Sequence, residues 1–192
     1  KNLQLLCKDS FNQARWFFHG EKLEDKKNLS HITSEVAETL YSKAPIIKSE
    51  IINKDKPSSS AISAQKKLLY AMVANPLNPI EETQYNNEKE NLGIEKHPSE
   101  LSLYLTLLNS EKIHKEDKEL GIWRFSKPKR GQLLAMWKAG ENFLKSCDKT
   151  SKPLSDLYKI WREQPFGLKE GVLPIYSMAF MLVNEDQAGF YL

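Results

Sequence analysis

The chain is poor in the residues that bend β-structure, crosslink loops and bind metals. Its 192 residues include only 8 glycines, 2 cysteines and 4 histidines. So few glycines argue against an all-β protein, whose tight turns call for residues that tolerate positive φ. Cys7 and Cys147 form neither a CxxC pair nor a disulfide framework, and both are expected to be free thiols in a reducing compartment. The longest apolar stretch runs from Val172 to Val183. A membrane-spanning helix needs about 20 apolar residues, so this stretch is expected to be a buried helix. No basic segment followed by an apolar one is found near Lys1, and the expected location is the cytoplasm, with no membrane partner. The first residue is Lys1 rather than Met, which fits a segment of a longer protein.

Catalytic signatures are also missing. No GxxxxGK[ST], GxGxxG or GxSxG occurs, so the backbone cradle for a phosphate and the exposed serine of a hydrolase elbow are both absent. Zinc sites need closely spaced imidazoles or thiolates. His19, His31, His97 and His114 are scattered, without HExxH or paired cysteines. No histidine adjoins Cys147 in sequence to act as its base. No catalytic residue, cofactor or metal ligand is therefore expected in this chain.

What is present is an ordinary globular balance of 40% apolar and 28% charged residues. The net charge of +3 is too small a bias to imply nucleic acid by itself. It conceals local contrast: acidic residues gather near 81–100 and basic ones near 43–67 and 124–130.

Helical patterns dominate. An aromatic-rich helix is expected around Phe11 to Phe18, ending near Gly20, followed by a charged loop and a helix capped by Ser30 that runs to Tyr41. Ile46, Ile47, Ile51 and Ile52 have helical spacing. Ser58 to Ser60 offer caps for a helix from Ala61, in which Ala64, Leu68 and Met72 repeat every four residues. Residues 75–92, with two prolines and several Asn and Glu, read as a mobile acidic loop. Pro98-Ser99-Glu100 opens a helix over Leu101 to Leu108. Glu111 to Glu119 reads as a solvated charged connection. Ile122 to Phe125 reads as a short strand or an aromatic plug. Further helices are expected through Leu133 to Leu144, Leu157 to Glu163 and Leu168 to Val183. Pro165-Phe166-Gly167 breaks the last two, and a terminal strand over Ala188 to Leu192 follows.

Two patterns have functional content. Lys127, Lys129 and Arg130 precede a helix whose amides would add to a phosphate site, Trp123 and Phe125 lie near for base stacking, and Lys169 adds a further cation. The competing reading places those aromatics in the core and the cations on the surface. Glu24-Asp25-Lys26 and Glu116-Asp117-Lys118 fit a minimal metal-nuclease pattern. Both lie in polar runs without the β-branched flanks that would fix carboxylates at strand ends.

Several blocks also carry a resemblance. They are Ala44-Pro45-Ile46-Ile47-Lys48-Ser49-Glu50-Ile51-Ile52-Asn53-Lys54, Ser58-Ser59-Ser60-Ala61, and Gln65-Lys66-Lys67-Leu68-Leu69 with Ala71-Met72. Leu92-Gly93-Ile94-Glu95, Pro98-Ser99-Glu100, Leu103-Tyr104-Leu105 and Trp123-Arg124-Phe125 continue the series. Pro165-Phe166-Gly167-Leu168-Lys169 with Leu173-Pro174-Ile175 is the most specific. Together, over residues 40–192, they resemble a helical region of very large bacterial P-loop ATPases of BREX-like and phage-growth-limitation-like defence systems. In that family the nucleotide-binding core lies elsewhere, so the resemblance implies a non-catalytic segment and transfers no site residue.

The expected architecture is therefore mainly α with very little strand. A helical domain spans 1–146, and a winged-helix-like subdomain spans 147–192, whose wing would need residues after Leu192. The expected partners are other domains or subunits of a larger complex, with nucleic acid as the alternative. Against major-groove reading, Leu168 to Val183 is too apolar and suits a core helix better.

Overall fold

The computed structural model describes residues 17–18, 20–22, 29–75 and 98–189. The acidic stretch near 75–92 lies almost wholly outside them, as do the Glu24-Asp25-Lys26 triplet, Cys7, His19, His97 and the last residues of the expected terminal strand. The chain divides into two compact units, residues 1–42 and 43–192.

In the first unit, β1 (Phe17–Phe18) and β2 (Glu21–Lys22) form an antiparallel hairpin that pairs Phe17 with Lys22. Phe17 and Phe18 are thus strand, not the end of a helix. Neighbouring aromatics favour the extended chain, and Gly20 turns it back on itself rather than terminating a helix. Helix α1 (Leu29–Leu40) follows. Ser30 lies inside it instead of capping it. Its carbonyl accepts the hydroxyls of Thr33 and Ser34, each at 2.9 Å.

The second unit is mainly α with very little strand, as its periodicity suggests. An irregular strap over residues 44–57 leads to α2 (Ser59–Ala74), where the Ser58 hydroxyl accepts the Ala61 amide at 3.3 Å. The isoleucines of the strap are not helical. Ile52 is fully buried and Ile47 packs partly against the core while Ile46 is 78% exposed, so the strap is held at separate points rather than by a continuous face. Helix α3 (Ser99–Tyr104) passes into a π-helical turn over Leu105–Asn109. Strands β3 (His114–Asp117) and β4 (Ile122–Phe125) form an antiparallel hairpin, with His114 opposite Phe125. The charged run expected to be a solvated connection is therefore partly strand. The ladder uses only backbone groups, and His114 is buried at the start of the strand while Glu116, two residues on, is exposed.

Helices α4 (Gly131–Lys145), α5 (Leu154–Arg162) and α6 (Leu173–Val183) complete the unit. Helix α6 starts five residues later than the expected Leu168, because Leu168 to Val172 form a turn that buries Leu168 and Val172 without being helical. Pro174 stands in the first turn of α6, where its missing amide leaves no bond unmade. The order α5, turn, α6 matches the expected one, and the boundary expected after residue 146 falls inside this unit.

One core joins these helices. Trp137 of α4 and Trp161 of α5 both meet Phe180 of α6 edge-on, with ring centroids 5.3 and 5.8 Å apart. Trp161 Nε1 also donates to the Met136 carbonyl at 3.1 Å. Trp137 Nε1 is buried with no acceptor among the described residues. The two indoles therefore differ in hydrogen bonding but not in burial.

Trp161→Phe is expected to destabilise the chain by about 2 kcal/mol more than Trp137→Phe, since the first loses a bond and the second removes an unsatisfied donor. Urea unfolding of the two variants measures the difference; equal losses would contradict it.

Candidate functional site

The strap meets the turn between α5 and α6 in a junction built mostly from backbone. The Lys43 amide donates to the Pro165 carbonyl at 3.1 Å, and the Gly171 amide donates to the Lys54 carbonyl at 2.9 Å. The Gly171 carbonyl in turn accepts Gln65 Nε2 of α2 at 2.7 Å. Both backbone groups of Gly171 are thus bound by residues more than a hundred positions away. A side chain here has no room: a Cβ on Gly171 would lie 2.0 Å from the Ile52 carbonyl oxygen and 2.7 Å from Pro57 Cγ. Burying Gln65 on the apolar side of α2 is offset by this bond. A polar residue at that point of an apolar face was the sequence's signal for it, but its partner was not legible.

At the rim of the junction Lys169 Nζ lies 2.9 Å from Asp55 Oδ2. The hydrogen bond from Lys169 holds the Asp55 carboxyl below its ordinary range. Arg162 pairs with Glu170 on the same turn. On the far side of α2, Lys67 reaches the buried carboxylate of Glu100 at 3.3 Å. Glu100 thus serves a cross-helix ion pair, beyond the helix-end role expected from its position.

The structure does not gather the four expected phosphate-binding cations into one free set. Lys127 is neutralised by Glu141 at 2.6 Å, and Lys169 by Asp55. Lys129 and Arg130 are exposed at the start of α4 and have no ion-pair partner among the described residues. Of the nearby aromatics, Phe125 packs against the core and stacks on His114 with centroids 4.3 Å apart. Trp123 is half-buried and lies 5.5 Å from the same ring. His114 itself is buried, with Nδ1 3.1 Å from the Tyr104 hydroxyl.

Apart from Glu116, which is exposed, the other expected candidates among the described residues are similarly engaged. Asp117 Oδ2 binds Arg124 at 2.7 Å across the hairpin, and its Oδ1 accepts the Glu119 amide at 3.1 Å. His31 faces Glu35 at 3.5 Å on the exposed side of α1. The Cys147 thiol is half-buried and donates to the Phe143 carbonyl at 3.4 Å. Among the described residues no three His, Cys, Asp or Glu side chains stand close enough to hold a metal ion. Nor is any described helix long and apolar enough to cross a membrane.

Comparison with protein-family models, curated proteins and solved structures finds no match to the chain.

Two outcomes test the junction. Gly171→Ala is expected to lower stability by about 3 kcal/mol, since the atom it strikes is backbone and cannot rotate away. Gly121→Ala, at φ 66° in open space, should lose only about 1 kcal/mol. Denaturant midpoints of the two decide; equal losses would mean that the strap is not docked in solution. Asp55→Asn should cost under about 1 kcal/mol at neutral pH, because the pair is exposed and screened. A carboxyl with a lowered pKa stabilises above its unfolded value near 4 and loses that contribution as pH falls through the folded value. The stability curves of wild type and variant should accordingly converge in acid and diverge towards neutrality.

Proposed function

We propose that this chain is a non-catalytic helical interaction module of a large cytoplasmic bacterial ATPase of the phage-defence kind, linking its motor to partner subunits or DNA. The observation that carries this reading is where the resembling blocks meet. Residues 44–54 and 65–72 lie about a hundred positions before 165–175, yet all three blocks contribute to the single junction around Gly171. Their side chains and backbone groups hold elements together. A recurrent pattern of this kind, with its polar atoms committed to one another, suits a rigid connector better than a reaction centre. The resemblance, not the geometry, supplies the ATPase context.

Lys129 and Arg130 favour the second reading, direct contact with nucleic acid. Both are exposed at the entrance to α4, with no ion-pair partner among the described residues. Duplex binding measured by anisotropy at low salt should weaken in the Lys129→Glu, Arg130→Glu double variant if this corner touches phosphate.

The main reading predicts no turnover of ATP and no cleavage of plasmid by the chain with magnesium or manganese. It also predicts a Walker A motif in the open reading frame that contains these residues. Turnover above a heat-inactivated control would overturn the non-catalytic role, and a reading frame without that motif would remove the ATPase context.

A further inference from the structure

Helix α2 uses only one side for the core. Ala61, Ala64, Gln65, Leu68 and Met72 are buried. The flank beside it exposes Ile62, Tyr70 and Val73, the last two by 77% and 55%, and Leu69 at its edge is half-buried, packing partly against the core. Residues 62, 66, 69 and 73 are separated by four, three and four positions. That is the spacing of a helix–helix seam, whose side chains interlock with those of a facing helix. The seam is about 16 Å long at the rise of an α-helix. Three of its positions are apolar, and the fourth is Lys66.

Charge is uneven here. Helix α2 contains no Asp or Glu. Lys67 is taken by Glu100, whereas Lys66 is exposed with no ion-pair partner among the described residues. In the strap that leads into α2, Lys43, Lys48, Lys54 and Lys56 are likewise exposed and unpaired among the described residues. The only acids there are Glu50 and the Lys169-bound Asp55.

We propose that this face of α2 docks an amphipathic helix of a partner protein, one that sets apolar side chains against Ile62, Leu69 and Val73 and a carboxylate against Lys66. The proposal rests on the interaction-module reading and names the surface and the chemistry of its partner. A single charged residue at a seam position selects partner and register, because the wrong partner leaves it unpaired between apolar side chains. A second copy of the chain fits poorly. In a parallel pair Lys66 faces Lys66, and in an antiparallel pair it faces Ile62 or Leu69 with no acid available. A lipid surface fits poorly as well, since the lysine in the middle of the strip would be carried into the acyl boundary.

The test uses the full chain and two fluorescein-labelled designed helical peptides. Both carry leucines along one seam, with Glu or Lys at the position that faces Lys66. Anisotropy should show the Glu peptide binding about tenfold more tightly than the Lys peptide. Lys66→Glu should reverse that preference, and Val73→Glu should weaken both peptides. Circular dichroism checks that the variants keep their helix, and Val73→Ala, which adds no charge, should weaken binding in the same direction. Absence of binding by both peptides, equal affinities, or a preference unchanged in Lys66→Glu overturns the proposal. So does a dimer in sedimentation that Val73→Glu dissolves, or binding to phosphatidylserine vesicles that the same change abolishes. None of these outcomes bears on the hydrolysis and reading-frame tests, so the module reading stands or falls separately.

Discussion

Close approach of two backbones, at Gly171 and Ile52, is the constraint on which the second unit depends. Hydrogen bonds give this contact its direction: the Gly171 amide is held by Lys54 and its carbonyl by Gln65. Because both partners come from elements far away in sequence, one residue ties the strap, α2 and the entry to α6 together. The free energy of such bonds is modest, about 1 kcal/mol each. Their importance lies in exclusion: any side chain at this point must push the strap off the helices. Ile52, fully buried beside it, then supplies apolar burial that an irregular segment could not obtain alone.

The aromatic core reaches the same turn. Phe166 and Leu168 are buried within the turn, and Trp161 just before it packs on Phe180. Ile52 of the strap belongs to the same core as Trp161, Phe166 and Phe180, so residues 164–172 join the strap to the aromatic cluster. This makes the turn a structural hub rather than a loop between two helices, and it leaves the outer sides of α2 and α4 to face solvent. On the outer side of α2 Tyr70 and Val73 are exposed, and Lys129 and Arg130 are exposed at the start of α4, which is where contact with other molecules is most easily made.

Much of the helical framework was legible because apolar spacing is a local property. The repeat of Ala64, Leu68 and Met72, the capping serine before it, and the proline in the first turn of α6 all follow from interactions within a few residues. Legibility failed where a distant partner decides. The Ile46 to Ile52 spacing fits a helix, yet the segment is an irregular strap because Gly171 offers its backbone to Lys54. The Glu111 to Glu119 run reads as solvated, yet His114 finds Tyr104 and Phe125 and is drawn inward. The basic cluster near residue 127 and Lys169 read as a set, but Glu141 neutralises Lys127 and Asp55 neutralises Lys169.

The sparse glycines with which the sequence begins its case take on a different weight. Their scarcity argued correctly for helix over sheet, since turn-rich folds need many of them. By itself the sequence determined the helical class, the positions of most helices and the lack of familiar phosphate or zinc motifs, because each depends on short-range spacing. Only the tertiary structure decided that one of those few glycines is irreplaceable, which charges remain free, and which side of α2 is left for a partner. Those properties arise from atoms brought together across more than a hundred residues, where local pattern carries no information.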